Sequence, residues 1–166
     1  MSESTTNYVF DFFRPNHYMV VFKPSNSITF SKNLGVFCKS VTFPFFTFDT
    51  SSILLNNKNN TMINKIDYDP VSFTFNVDDK KEVLNFIIDW KKLIINDKYQ
   101  FGYKDDYKID IDIILLDNHT LEEISKCTLI DAILLNVDGI AMSYETKDSI
   151  SEITLSVGYD DIKYEI

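Results

Sequence analysis

Glycine, proline, cysteine and histidine are all scarce in this sequence of 166 residues: four, four, two and two copies. With so few glycines there is no phosphate-cradling loop and no dinucleotide fingerprint, both of which need glycines at fixed spacing. Cys38 and Cys127 lie far apart and form no CxxC pair, so a disulfide framework is not expected and both read as small buried hydrophobes. His17 and His119 have no cluster of ligands at metal-binding spacing, and no metal or other cofactor is called for. Basic residues are in deficit as well. Lys and Arg total 16 against 25 Asp and Glu, a net charge of −9, whereas a chain that tracks phosphate tightly needs a basic face. Long apolar runs are missing too: an aliphatic stretch such as Ile113-Ile114-Leu115-Leu116 falls well short of the roughly 18 residues of a membrane-spanning helix. Met1 to Asn7 have neither the basic start nor the apolar core of a signal peptide. Folding in the cytoplasm and no membrane partner are therefore expected.

What is present is hydrophobic and aromatic content, 45% and 14%, enough to bury the core of one domain spanning residues 1–166. Alternation dominates. Val71, Phe73, Phe75 and Val77 point one way, with Ser72, Thr74 and Asn76 opposite; Ile109, Ile111, Ile113 and Leu115 oppose Lys108, Asp110 and Asp112; Ile153, Leu155, Val157 and Tyr159 oppose Glu152, Thr154, Ser156 and Gly158. Period two with one apolar face predicts half-buried strands. Further strands are expected over 18–23, 34–42, 121–129 and 130–136, with Asp117-Asn118-His119-Thr120 as a turn. A mainly β chain with one helix is expected.

The helix is expected over about 79–96. Asp79 and Glu82 have the spacing of a capping box, and Val83, Ile87, Trp90 and Ile94 recur at helical period. Leu84, Ile88 and Ile95 form a second apolar stripe, which either a broad core or a neighbouring subunit would cover. Residues 49–64 read as a long loop, rich in asparagine (Asn56, Asn57, Asn59, Asn60) yet carrying Leu54, Leu55, Met62 and Ile63. Catalytic chemistry has little support. Asp110 and Asp112 share a strand face at a spacing of roughly 6–7 Å, which a glycosidase pair could use, but alternating acids on a solvated strand are far commoner. No enzyme activity is expected.

The order of these features resembles the tail tube family of contractile-tailed bacteriophages. Phe12-Phe13-Arg14-Pro15-Asn16-His17-Tyr18-Met19-Val20 is similar to the family's RPN-aromatic approach to its first strand, and Phe37-Cys38-Lys39-Ser40-Val41-Thr42-Phe43-Pro44 to its CxxxxxP segment. Tyr68 to Asp79 looks like the strand that ends in an acidic helix cap, and Phe86-Ile87-Ile88-Asp89-Trp90 like the FxxxW-containing helix. Leu129 to Ile140 and Ile150 to Asp160 resemble the closing strands, with Leu134 or Leu135 where the family commonly has proline. The resemblance implies a mainly β fold of two packed antiparallel sheets, a β-sandwich with one flanking helix, in a virion protein that is assembled in the host cytoplasm and whose hexameric rings stack into a hollow tube. Its implied partners are copies of itself, the tail sheath, the tape measure, and the baseplate and terminator proteins, with DNA passing through the lumen without specific binding. The type VI secretion tube shares the fold, so a tube of that or another contractile injection system, or a baseplate initiator or terminator relative, is the alternative. Asp110 and Asp112 are the candidates for the lumen wall, where carboxylates repel phosphate. Leu54, Leu55, Met62, Ile63, Leu84, Ile88 and Ile95 are the candidates for inter-subunit contacts, and a short flexible N-terminus is expected over 1–8.

Overall fold

The longest strand organises the molecule. The computed structural model describes residues 16–23, 34–140 and 150–165; the expected N-terminal segment 1–8 lies outside them. The strands are β1 (Tyr18–Lys23), β2 (Cys38–Val41), β3 (Phe46–Leu55), β4 (Lys58–Tyr68), β5 (Val71–Asn76), β6 (Ile109–Leu116), β7 (Glu123–Val137), β8 (Glu152–Gly158) and β9 (Asp161–Glu165). Two helices, α1 (Glu82–Ile94) and α2 (Lys104–Tyr107), lie between β5 and β6. The first half of β7 pairs with β6 and β9, and its second half pairs with β8, all antiparallel. One layer therefore runs β1-β6-β7-β9 and the other β7-β8-β5-β2. The layers share β7.

The change of layer occurs at Asp131, whose φ of 53° is in the left-handed region that aspartate tolerates better than most residues. The β6–β7 register slips there. Asp131 is pinned from both sides: its amide donates to Asp110 Oδ1 at 3.1 Å and its carboxylate pairs with Lys108 at 3.2 Å. The slip also explains why alternation suggested two strands, 121–129 and 130–136, where one continuous strand stands. A bulge shifts the side-chain phase without ending the ladder.

Between the layers, Val20, Phe22, Ile111, Ile113, Cys127 and Leu129 meet Phe73, Phe75, Ile153, Leu155 and Val157, all buried. The ring of Phe22 lies 5.8 Å from Phe73, 5.9 Å from Phe75 and 5.5 Å from Phe86 of α1. Trp90 is fully buried, and its indole N–H donates to the Tyr107 carbonyl at 2.7 Å, so this donor is not stranded in the core. Cys127 is buried and free, Cys38 half-buried and free; burial pushes both thiols up to about 12.

Three local expectations are corrected. Helix α1 is shorter than 79–96, and its cap is Asp78 in place of Asp79: the Asp78 carboxylate accepts from the amides of Glu82 (3.1 Å) and Val83 (3.3 Å). Lys81, at φ 61°, turns the chain so that the earlier aspartate reaches the free amides. The strand expected over 34–42 opens as a 3-10 turn, Leu34–Phe37, before β2. The closing strand is two, β8 and β9, around a turn at Tyr159 and Asp160.

Gly35 allows that 3-10 turn to lie against β1, since a Cβ there would stand 1.8 Å from the Val20 carbonyl oxygen. Gly35→Ala is expected to destabilise the chain by about 3 kcal/mol, the upper part of the usual overpacking cost, read as a fall in the urea midpoint at unchanged slope.

Candidate functional site

Residues 49–64 are ordered, and the correction to the loop expectation is physical. Asn56 and Asn57 adopt φ values of 51° and 61°, the paired left-handed conformation of a tight hairpin turn that asparagine tolerates. Leu55 then faces Lys58, and β3 and β4 pair down to Phe46 and Tyr68. Among the described strands β3 and β4 pair only with each other, and at the hairpin's base the Tyr68 hydroxyl donates to Asp161 Oδ1 of β9 at 3.0 Å.

Near its base one face is apolar, with Phe46 opposite Tyr68, Phe48 opposite Ile66, and the rings of Phe46 and Phe48 5.0 Å apart. The other face carries Thr47, Asp49, Lys65 and Asp67, with Lys65 and Asp67 paired at 2.8 Å. A bulge at Asn64, bonded to the Ser51 hydroxyl at 3.0 Å, separates base from tip. Beyond it both faces carry exposed apolar side chains, because adjacent strand residues point opposite ways: Leu54 is 66% and Leu55 55% exposed, and Ile53, Met62 and Ile63 are also exposed. Acids and lysines balance along the hairpin (Asp49, Asp67, Lys58, Lys65), although the chain as a whole is strongly acidic. A free two-stranded hairpin is marginal in water, and apolar side chains on both faces add to the cost of leaving it uncovered.

The second apolar stripe of the helix is only partly free. Ile88 is exposed. Leu84 packs at the margin of the core, and Ile95 has left the helix for an extended conformation, half-buried and bridged to Phe101. The missed exposed residues are Phe46 and Phe48, and Tyr99, Phe101 and Tyr103 beyond the helix. Their signal was alternation of aromatics, which also marks buried strands.

Asp110 and Asp112 share the face of β6 turned away from the core, as alternation required. That face is not a row of bare acids. Asp112 is only 6% exposed; it accepts from the Thr128 hydroxyl at 2.7 Å and pairs with Lys23 at 2.9 Å. Beside it, Glu165 is gripped by Lys163 at 2.7 Å and Lys126 at 3.0 Å. Lys23, Lys126 and Lys163 thus interleave with Asp110, Asp112, Asp161 and Glu165 across β1, β6, β7 and β9, so the expectation of an exposed Asp112 is corrected. Cross-strand pairing places residues two apart on one face, where lysine and carboxylate side chains meet.

Nothing on the described surface gathers reactive groups. One concavity of about 320 Å³ lies at the hairpin base, lined by Phe43, Phe45, Phe46 and Pro70 among others. Among the described residues no group of three or more His, Cys, Asp or Glu could hold a metal ion, and no helix is long and apolar enough to cross a membrane.

The described residues thus form a two-layer β unit with a separate hairpin that exposes apolar side chains. The family model for phage tail tube proteins matches residues 4–165, and the chain belongs to that family, with a structural role in a tail tube. Among curated proteins the sequence has no match. In solved structures it is similar to a chain of the anti-feeding prophage tube-terminating cap (14% identity, 99% of each chain covered, TM-score 0.73). It is also similar to a chain of an extracellular contractile injection system, the PVC sheath-tube complex in its extended state (17% identity, 99% of this chain and 98% of that one, TM-score 0.66). An Hcp protein crystal structure aligns over 89% of this chain and 91% of its own (13% identity, TM-score 0.53).

The Glu165 ion pairs set a pH dependence. Hydrogen bonds from Lys163 and then Lys126 hold its carboxyl down at about 2, below the roughly 4.3 of an unfolded glutamate. A depressed folded value contributes stability above the unfolded one, lost as pH falls toward about 2. The gap in Tm between the wild type and Glu165→Gln is therefore expected to be constant above about pH 5, to shrink between about 4.3 and 2, and to narrow in high salt. Thermal melts across that range check it.

Proposed function

We propose that this chain is a tube subunit whose hexameric rings stack into the conduit of a contractile particle, inside a sheath and between a baseplate and a terminator. The observation that carries the reading is the hairpin: apolar side chains exposed on both faces beyond its bulge, strands paired only with each other among the described strands, and balanced charge on an acidic chain. A neighbouring subunit covers it. Residues Leu54, Leu55, Met62 and Ile63 enter that contact, and Ile88 adds to it from α1, with Leu84 and Ile95 beneath. Burial at about 25 cal/mol per Å² makes even a modest patch decisive when it repeats around a ring.

The face of β1-β6-β7-β9 bearing Asp110 and Asp112 lines the lumen. Ring closure pairs the free edges of β1 and β9 with neighbours and removes edges that would otherwise template aggregation. Because lysines and carboxylates interleave on this face, the wall holds a polyanion neither by attraction nor by strong repulsion, and DNA or a tape measure slides past it. The charge surplus of the chain then lies elsewhere. No catalytic step belongs to this function.

Leu54→Asp with Leu55→Asp places a carboxylate on each face of the hairpin tip. The double variant is expected to keep the wild-type circular dichroism and melting temperature but to form no rods or rings by negative-stain microscopy at concentrations where the wild type assembles. Unchanged assembly would remove the hairpin from the interface.

A further inference from the structure

Two apolar corners at opposite ends of the sandwich are not used by the hairpin contact. The first follows α1. Ile95 bridges Phe101, the Asn96 side chain accepts from the amides of Lys98 and Gln100, both at 2.9 Å, and Gly102 donates to the Ile94 carbonyl at 3.0 Å. A Cβ at Gly102 would stand 2.2 Å from the Leu93 carbonyl oxygen, so glycine lets the loop sit on the helix end. On this fixed backbone Tyr99, Phe101 and Tyr103 are each at least 80% exposed. Aromatic side chains on a pinned loop lose little freedom on docking.

The second corner is the turn between β6 and β7. The Asp117 carboxylate accepts from the amides of His119 (2.7 Å) and Thr120 (2.8 Å), and this brace holds Leu121 at φ 58°. A left-handed conformation is costly for leucine, yet the side chain it presents is exposed, as is Ile124 beyond it. The corners lie at the two ends of β6, which Tyr107 precedes and Asp117 follows; eight residues at about 3.3 Å each set them roughly 25 Å apart.

Their charges are opposite. Residues 91–104 carry Lys91, Lys92, Lys98 and Lys104 against Asp97 alone, whereas residues 117–123 carry Asp117, Glu122 and Glu123 and no lysine. Lys92 and Lys104 are engaged with Asp89 and Asp160, and the acids that follow on α2 are Asp105, paired with Lys108, and Asp106. Lys91 and Lys98 on one side, and Glu122 and Glu123 on the other, have no ion pair within the chain among the described residues.

We propose that these corners are the two halves of one axial joint, the aromatic lysine-bearing corner of one copy seating on the aliphatic acidic turn of the next copy along the tube. The inference rests on the tube reading. A different partner would need only one such corner. A chain that stacks head to tail needs two, unlike and complementary, at opposite ends, and opposite charge sets which end meets which.

The test uses two variants with conserved folds: Tyr99→Ser/Phe101→Ser/Tyr103→Ser, and Leu121→Asn/Ile124→Ser, asparagine being chosen to tolerate the left-handed backbone. Each is assembled separately, the rings are mixed one to one, and lengths are measured by negative-stain microscopy with melting temperature as the folding control. The expected result is single rings from each variant, even at about tenfold the concentration at which wild-type rods appear, and two-ring stacks that grow no further from the mixture. Rods from either variant alone would overturn the joint while leaving the tube reading intact. Loss of rings together with rods would also overturn it, assigning the corners to ring closure, and so would single rings that fail to pair on mixing. A wild type that forms neither rings nor rods at any concentration would instead overturn the tube reading itself.

Discussion

The fold depends on a single strand belonging to two sheets. β7 is hydrogen-bonded to β6 and β9 along one half and to β8 along the other, and the slip at Asp131 lets it turn from one layer into the next without losing its ladder. That continuity brings the layers face to face around Phe22, Phe73 and Phe75, and leaves α1 to cover the remaining side with Phe86 and Trp90. It also leaves β1, β9 and β2 as outer strands, with no strand partner on their far side among the described residues.

What folding leaves uncovered is concentrated in one element. The alternating strands are used in the core, yet the β3–β4 hairpin is built of strands longer than most in the core and most of its side chains stay exposed. A two-asparagine turn and a bulge fix the register of its strands and so which side chains share a face. The sheet face bearing Asp112 shows the converse: ion pairs such as Lys23–Asp112 and Lys126–Glu165 offset charge between neighbouring strands.

Strands with one clean apolar face were readable from alternation alone, since each side chain's direction is fixed by the period of two: Tyr18–Lys23, Val71–Asn76 and Ile109–Leu116 stand as expected. The helix was readable through Val83, Ile87 and Trp90. Its cap was not, because the choice between Asp78 and Asp79 depends on the left-handed turn at Lys81, which no propensity favours. The hairpin was misread because apolar residues on both faces break alternation, and asparagine pairs suit loops and tight turns equally.

Residue order by itself determined the predominance of strands and the main helix, since these depend on periodicity. The resemblance carried the tube assignment on motifs spread along the chain. Tertiary structure decided the rest. Only pairing across strands brings Lys23 onto Asp112 and Lys126 onto Glu165, and only burial distinguishes Leu84, packed against the core, from Ile88 and Leu54, which stay exposed. Hydrophobicity is a property of a residue, but exposure is a property of the whole fold.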